Sequence, residues 1–192
     1  YVYQVSNGKR LVRLKPSLAT NCGVSWSGAG RFIAAGDPAG RVTYVWDVNN
    51  PDEPRRLAMG GKYIGFRPGT DILYLVPGDR PSMWRWDPST KSTRLRQFHK
   101  FDDGFCLGFG FSPDGRLLAA VGWDRKYPRL WIWDMGKRKM LRVLRGTERR
   151  NAWRLVAFSP EGKLMAVGSE KIAIYEVAKL LSGKQLESGK TE

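Results

Sequence analysis

The sequence predicts an all-β protein built from repeated units of four antiparallel strands. A Trp-Asp pair recurs at regular spacing at three places along the chain, and a conservative Tyr-Glu pair continues the series. The four pairs are Trp46-Asp47, Trp86-Asp87, Trp133-Asp134 and Tyr175-Glu176. Their acidic members are 40, 47 and 42 residues apart, close to the length of four short strands with their turns. A hairpin and an alternation of large rings recur in the same register.

A hairpin pattern precedes each of these pairs of an aromatic and an acidic residue. The four segments are VSWSGAGRFIAAG, IGFRPGTDILYLV, FGFSPDGRLLAAVG and VAFSPEGKLMAVG. Pro113 and Pro160 fix the φ angle in their turns, while Gly115 and Gly162 allow the positive φ that a tight reversal needs. We therefore expect two hairpin strands and then a third strand that ends at the acidic pair.

Large aromatic side chains occupy alternate positions of the third strands. They are Tyr44 and Trp46, Trp84 and Trp86, Trp131 and Trp133, with Tyr1 and Tyr3 at the start of the chain. Residues two apart in a strand lie on the same face of the sheet. Because one sheet cannot shield such rings from water, neighbouring sheets must stack face to face. Trp46, Trp86 and Trp133 are expected to be buried at the ends of third strands.

These segments resemble the repeats of WD-repeat β-propellers, chiefly in FSPDGRLLAAVGWDRKYPRLWIWD, FSPEGKLMAVGSEKIAIYE and WSGAGRFIAAGDPAGRVTYVWD. The resemblance implies an incomplete propeller of about four four-stranded antiparallel blades. It places the third and outer strands of a preceding blade at 1–14 and a polar tail at 187–192. Blades 1 to 4 are expected at 15–58, 59–97, 98–145 and 146–186. An open propeller edge exposes backbone groups and an apolar face, so we expect missing chain, a second copy or another subunit to cover it.

The chain is strongly basic and contains few cysteines. Its 33 Lys and Arg residues against 18 Asp and Glu give a net charge of +15, which favours nucleic acid or an acidic partner. Cys22 and Cys106 lie in apolar stretches and are too few for a disulfide framework. We expect separate buried thiols and an intracellular, cytoplasmic location. No stretch approaches the roughly 18 apolar residues of a membrane helix, and the start of the chain shows no secretory signal pattern.

The sequence shows no recognisable catalytic or metal-binding cluster. His99 is its single histidine, so a nucleophile would lack any other imidazole base and a metal site would lack further histidine ligands. Asp102-Asp103 fits a solvated turn, and the terminal SGKTE lacks the first glycine of a phosphate loop. The WD-repeat resemblance gives His99 a structural role with Asp124 as its hydrogen-bond partner. We expect no enzyme activity, no cofactor, no metal and no small-molecule substrate.

Basic and aromatic residues are concentrated in loops that the propeller register places on one face. The residues expected to contact a partner are Arg80, His99, Lys100, Phe101, Trp123, Arg125, Lys126, Tyr127, Arg129, Arg149, Arg150, Trp153 and Arg154. Cations beside exposed rings can bind phosphate and stack on bases, or bind an acidic peptide. The alternative is that these loops only keep the protein soluble, with the rings folded back onto the blade.

The predicted function is a non-catalytic interaction scaffold within a larger protein or complex. Its partners would be other protein subunits or remaining blades of the same polypeptide. The alternative is a basic propeller face that binds RNA or DNA in a nucleoprotein assembly. Salt dependence separates the two, because phosphate binding weakens steeply as salt concentration rises.

Overall fold

A computed structural model describes residues 1–16, 18, 23–101, 104–147, 152–168 and 170–182. The chain divides into two compact units, residues 1–99 and 100–192. Nearly all regular structure in the described residues is β-strand, and the strands pair antiparallel with their neighbours along the chain. The predicted all-β fold of four-stranded antiparallel sheets is confirmed.

The first unit contains a two-stranded ribbon and two four-stranded sheets. The ribbon consists of β1 (Val2–Tyr3) and β2 (Arg10–Val12). Sheet 1 consists of β3 (Gly23–Trp26), β4 (Phe32–Asp37), β5 (Val42–Asp47) and β6 (Asn50–Leu57). Sheet 2 consists of β7 (Gly61–Phe66), β8 (Leu73–Pro77), β9 (Ser82–Trp86) and β10 (Arg96–Lys100).

The second unit contains a four-stranded sheet, a three-stranded sheet and a short helix. Sheet 3 consists of β11 (Phe105–Phe111), β12 (Leu117–Trp123), β13 (Pro128–Asp134) and β14 (Lys139–Arg145). Sheet 4 consists of β15 (Leu155–Phe158), β16 (Leu164–Gly168) and β17 (Ile172–Glu176), followed by α1 (Val177–Ser182). The helix was not predicted. It forms because the spacing of Val177 and Leu180 lets one helical turn bury both side chains in the unit's core.

The hairpin turns have the backbone geometry that the sequence predicts. Gly115 and Gly162 adopt φ angles of 68° and 70°, and Gly30 and Gly69 do the same in the corresponding turns of sheets 1 and 2. In this left-handed region a Cβ atom would be strained, so glycine is the favoured residue. These turns set the register that brings apolar residues of the first two strands onto common faces.

The three predicted tryptophans are buried in the third strands of their sheets. Trp46 lies in β5, Trp86 in β9 and Trp133 in β13, and each is at most 3% exposed. Their burial needs partners for the ring N–H groups. Trp46 Nε1 donates to the Lys15 carbonyl at 2.6 Å, and Trp86 Nε1 donates to the Ser92 carbonyl at 2.7 Å. The predicted burial of these rings is confirmed.

Within each unit, consecutive sheets stack face to face. Sheets 1 and 2 share a core that includes Phe32, Val45, Leu73 and Trp86. The ribbon covers another part of sheet 1, where Val2 packs with Trp46. Sheets 3 and 4 share a third core, which contains Ala119 and Val121 of β12, Leu130 and Ile132 of β13, and Met165 and Val167 of β16. The core therefore lies between sheets rather than within any one of them.

Cys106 is a buried free thiol in β11. Burial raises its pKa to about 12, although a contact with the Gly108 carbonyl partly opposes that shift. The thiol is therefore neutral and unreactive at neutral pH. This confirms the prediction for Cys106, while Cys22 lies outside the described residues.

Candidate macromolecular interface

The turn between β12 and β13 carries part of the predicted basic surface. Asp124 accepts hydrogen bonds from the backbone amides of Lys126 and Tyr127 at 3.1 and 2.8 Å. Arg129 Nε donates to the same carboxylate at 2.7 Å. Burial raises the pKa of Asp124, but these donors outweigh that effect and the pKa lies below its ordinary value. Arg129 is thus committed to an internal ion pair, which leaves Arg125 and Lys126 as the exposed cations of the turn.

The aromatic residues of this region are more shielded than the sequence predicts. Trp123 and Tyr127 are half-buried, and the guanidinium of Arg145 lies 3.6 Å from the centre of the Tyr127 ring. Trp153 is half-buried against the core shared by sheets 3 and 4. Arg154 is exposed beside it, and its backbone amide donates to the Gly168 carbonyl at 2.9 Å. These aromatic rings are at most partly accessible to a partner, whereas the cations Arg125, Lys126 and Arg154 are exposed to solvent.

The structure corrects the prediction that Phe101 contacts a partner. We expected its ring in an exposed loop, but it is 1% exposed. Its ring centre lies 4.7 Å from that of Trp131 and 6.3 Å from that of Trp133. Because the alternating tryptophans of β13 form an apolar surface, the ring packs on them instead of facing a partner.

His99 and Lys100 lie in strand β10, which corrects the expectation that they occupy a loop. Phe98 helps to hold this segment in the sheet, because its ring packs edge-to-face on Tyr74 of β8 with ring centres 5.3 Å apart. His99 is half-buried and Lys100 is exposed. The predicted bond between His99 and Asp124 stays a prediction. Arg149 and Arg150 lie outside the described residues.

The acidic residues of the repeat motif stabilise local turns and ion pairs. Asp47 pairs with Arg31 at 2.9 Å, Asp87 caps the turn at Pro88–Thr90, and Glu176 pairs with Lys179 at 2.8 Å. Asp134 accepts hydrogen bonds from the Gly136 and Lys137 amides, both at 2.9 Å. The Lys137 amide, which contributes most, helps hold the pKa of Asp134 below its ordinary value. These contacts are structural.

A cavity of about 380 Å³ opens in the first unit beside Arg80. Its walls come from the turn between β4 and β5, the connection from β6 to β7, and the turn between β8 and β9. Arg41 lies opposite Arg80, and Asp79 lies 3.9 Å from each guanidinium. The sequence prediction named Arg80 but missed Arg41. The equivalent turns both precede a third strand, and comparing them would have pointed to Arg41.

Sheet 4 exposes an apolar face on all three of its strands. The exposed residues are Leu155 of β15, Leu164 of β16, and Ile172 and Ile174 of β17. Ala166 pairs with Ile174 across β16 and β17, so both side chains lie on this same face. The opposite face of sheet 4 supplies Met165 and Val167 to the core with sheet 3. We call the exposed side of these three strands the open face of sheet 4.

The first unit also exposes apolar residues where the ribbon leaves sheet 1 uncovered. Val24 pairs with Ala35 and Trp26 pairs with Ile33, so all four lie on one face of sheet 1. Ala35 and Ile33 are buried against the region of the ribbon, whereas Val24 and Trp26 are 68% and 49% exposed. The ribbon thus covers the outer part of this face and leaves the innermost strand open.

In the part of the chain that the structure describes, no three His, Cys, Asp or Glu side chains come together in a group able to hold a metal ion. Among the same residues, no helix has both the length and the apolar character needed to span a membrane.

Comparisons with known proteins identify the fold but no family. The chain matches Kuenenia stuttgartiensis hydrazine synthase with a TM-score of 0.72 and 16% identity, over 86% of this chain and 47% of that one. It matches the β-propeller domain of Myceliophteria thermophila Cps50 (Swd1) with a TM-score of 0.71 and 14% identity, over 99% of this chain and 62% of that one. It therefore spans less than two thirds of either protein's chain. No family model matches the sequence, and no curated protein does. The structural likeness shows that the chain has a β-propeller fold with four-stranded antiparallel sheets as blades.

Proposed function

We propose that this chain is a WD-repeat propeller segment that acts as a non-catalytic scaffold within a larger protein or complex. The open face of sheet 4 is the observation that carries this proposal. Exposure of such an apolar sheet face to water is energetically unfavourable, and such faces commonly mark contacts with other protein surfaces. The scaffold function follows if this face packs against a further protein segment.

Sheet 3 supplies an internal reference for the open face. Leu130 and Ile132 occupy the positions in β13 that Ile172 and Ile174 occupy in β17, counting back from the acidic end of each motif. Leu130 and Ile132 are at most 1% exposed because sheet 4 covers them, whereas Ile172 and Ile174 are 66% and 68% exposed. The same type of strand is thus covered in one sheet and open in the next.

The charge of the chain favours a different molecule or segment over a second copy as the cover. Two chains that each carry a net charge of +15 repel one another when brought into contact. Remaining blades of the same polypeptide, or a subunit of opposite charge, avoid that repulsion. The proposed partner of the open face is therefore a further β-sheet of heterologous sequence.

The proposal that the chain is not an enzyme rests on its own residues rather than on its fold. Propellers host both binding and catalytic functions, and one similar structure is that of a hydrazine synthase. The sequence holds a single histidine and two cysteines, of which Cys106 is a buried thiol with a raised pKa. The proposed cytoplasmic location likewise rests on this use of cysteine.

Thiol labelling in the native full-length protein tests the scaffold proposal. Ile174→Cys places a thiol on the open face, and Val5→Cys places one at a fully exposed position of the ribbon turn. Peptide mapping by mass spectrometry separates each new thiol from Cys22 and Cys106. If a protein segment covers the open face, the thiol at residue 174 should react at least about tenfold more slowly in the native protein than in urea. The thiol at residue 5 should react at similar rates in both conditions. Equal native rates at the two positions would show that the open face is free and would overturn the proposal.

Nucleic-acid binding is a second candidate, favoured by the exposed cations Arg125 and Lys126. Arg125 adopts a φ of 71°, so Arg125→Gly removes the charge without straining the turn. Arg138→Gly is the matched control, because Arg138 is an exposed cation with a φ of 51° at the other end of β13. Anisotropy of a labelled oligouridylate should fall steeply with salt and depend on Arg125 more than on Arg138. Equal effects of the two variants would exclude this turn as a specific nucleic-acid site.

A further inference from the structure

The cavity beside Arg80 has walls that buried polar contacts hold in place. The Thr43 hydroxyl donates to the Met59 carbonyl at 2.7 Å and accepts from the Gly61 amide at 3.0 Å. The Asp37 carboxylate accepts from the Gly40 amide at 2.9 Å, which fixes the turn between β4 and β5. Thr43 and Asp37 are both buried. The connection from β6 to β7 and this turn are thus pre-organised around the cavity before any ligand binds.

Close backbone packing also shapes the cavity. A Cβ atom at position 60 would lie 2.4 Å from the Asp37 carbonyl oxygen and 2.7 Å from the Pro38 Cα. Glycine at this position therefore lets the two segments approach without a side chain between them. Two of the three walls, the turn between β4 and β5 and the connection from β6 to β7, are thus held together by direct contacts.

The mouth of the cavity carries an excess of positive charge. Arg41 and Arg80 share one carboxylate, that of Asp79, and both nitrogen-to-oxygen distances are 3.9 Å. These are long, exposed pairs, with 78% of the Arg41 side chain and 56% of the Arg80 side chain accessible. Such pairs are weak and their side chains can reorient. A carboxylate that entered between the two guanidinium groups would gain shorter, charge-assisted hydrogen bonds.

Arg41 adopts a backbone conformation that its residue type does not favour. Its φ of 51° lies in the left-handed region, where glycine or asparagine is usual. Lys91 has a φ of 52° in an exposed position and does not line the cavity. Because the φ angles at these two positions are nearly the same, they form a matched pair of cations that differ in their relation to the cavity.

The rest of the cavity lining is apolar and small. Met59, Ala58, Pro38 and Pro77 contribute to it. No aromatic ring lines this cavity, whose lining lies entirely within the described residues, so stacking of nucleic-acid bases has no platform here. An aliphatic side chain next to a carboxylate matches the apolar lining and the two guanidinium groups together.

We propose that this cavity binds an acidic peptide segment of a protein partner, with one carboxylate between Arg41 and Arg80 and a neighbouring aliphatic side chain against Met59. This inference rests on the proposed scaffold function and assigns it a second contact, distinct from the open face of sheet 4. The ligand class is an extended peptide in which glutamate or aspartate lies two positions from an aliphatic residue, so that both side chains point to the same side.

Binding of a defined peptide to the full-length protein tests the site. The probe is a short fluorescein-labelled peptide with a glutamate and a leucine two positions apart, which share one face when the peptide is extended. Its matched control contains glutamine in place of glutamate. Loss of a charge-assisted bond should weaken binding of the acidic probe about tenfold in Arg41→Gly and in Arg80→Ala. Lys91→Gly removes the same charge from the same backbone conformation and should change affinity less than about twofold.

Three outcomes would overturn the proposal. One is equal weakening by Arg41→Gly and Lys91→Gly, which would show general charge attraction. A second is equal affinity for the glutamate and glutamine peptides. The third is competition by single-stranded oligouridylate at lower concentration than unlabelled acidic peptide, with dependence on Arg41. None of these results affects thiol labelling at residue 174, so failure of this site and failure of the scaffold proposal are distinguishable.

Discussion

Sheets 3 and 4 have the same strand pattern but opposite surroundings on one face. Ile132 of β13 and Ile174 of β17 precede the acidic residue of their motifs by two positions. Ile132 is 1% exposed under sheet 4, whereas Ile174 is 68% exposed. The burial of an apolar residue in a stacked-sheet fold is therefore decided by the neighbouring sheet and not by its own strand.

The first strands of the two sheets differ in a way that limits what can cover sheet 4. Gly108 and Gly110 of β11 lie where Leu155 and Ala157 lie in β15, because each pair aligns on the hairpin register. A Cβ atom at position 108 would lie 2.4 Å from the Arg154 carbonyl oxygen. Glycine thus permits β15 to approach β11 closely. The side chain of Leu155 prevents an equally close approach to β15, so the cover of sheet 4 must stand farther from its first strand.

Removal of the Trp133 side chain should have the largest effect on sheet 3. The ring is 3% exposed and packs with Phe101. Trp133→Ala should lower the free energy of unfolding of the second unit by about 3 to 5 kcal/mol through lost burial and a cavity. Tyr175→Ala, at the corresponding position of sheet 4, should cost less because Tyr175 is only half-buried. Urea unfolding followed by circular dichroism measures both, and equal losses would contradict the contrast between the sheets.

Alanine substitutions at the two equivalent isoleucines measure the contrast directly. Ile132→Ala should cost about 2 to 5 kcal/mol because its site is covered. Ile174→Ala should change stability by less than about 0.5 kcal/mol if the open face meets only water. In the native full-length protein, a larger loss at Ile174 would indicate that a partner segment buries it. Hydrogen exchange of the β13 and β17 amides in both variants measures the stability of each site separately. A small loss of stability in Ile132→Ala would contradict the contrast between the two sheets.

A methyl group at Gly108 tests the close approach of β15 to β11. Gly108→Ala places a Cβ against the Arg154 carbonyl, and the backbone on both sides must move. Such overpacking should cost about 1 to 3 kcal/mol. Leu155→Ala, at the equivalent place on the open face, should cost less than about 0.5 kcal/mol if that face meets only water. Thermal unfolding of both variants checks this difference, and a neutral Gly108→Ala would mean that the two sheets are more loosely packed than the distances indicate.

The sequence predicts those features that depend on local periodicity. The alternating rings and the Pro and Gly turn residues correctly placed Trp46, Trp86 and Trp133 in buried third strands. Strand β10 was missed because the contact of Phe98 with Tyr74, which helps to anchor it, joins residues far apart in the chain. The burial of Phe101 was missed for the same reason, since its partners lie in β13.

The candidate site was less predictable than the fold because it depends on turn geometry. Charge alone identified Arg80, Arg125 and Lys126 as basic loop residues. It could not show that Arg129 is neutralised by Asp124, or that Arg41 lies opposite Arg80 across a cavity. These facts depend on the distances between turns of different strands, and the spacing of residues within one repeat does not give those distances.

The smallest expected effect concerns the acidic turn of sheet 3. The pKa of Asp124 is lowered on folding, since burial, which raises it, is outweighed by hydrogen bonds from the Tyr127 and Lys126 amides and from Arg129. The stability that this carboxylate contributes is therefore present above its ordinary pKa of 3.8 and is lost as the pH falls through the lower folded value.

Asp124→Asn should cost on the order of 1 kcal/mol at neutral pH, because it removes a partly buried ion pair but keeps an acceptor oxygen for the turn. Arg129→Gln is the matched variant on the other side of the same pair. Urea unfolding at neutral pH and at about pH 3 measures the gap between the wild type and each variant. The gap should begin to narrow below pH 3.8 for both, because the unfolded chain then binds a proton at Asp124 that the folded chain, with its lower pKa, takes up only at still lower pH. A gap that stays constant with pH would show that the turn is held by its backbone hydrogen bonds alone, and that Arg129 is as available to a partner as Arg125.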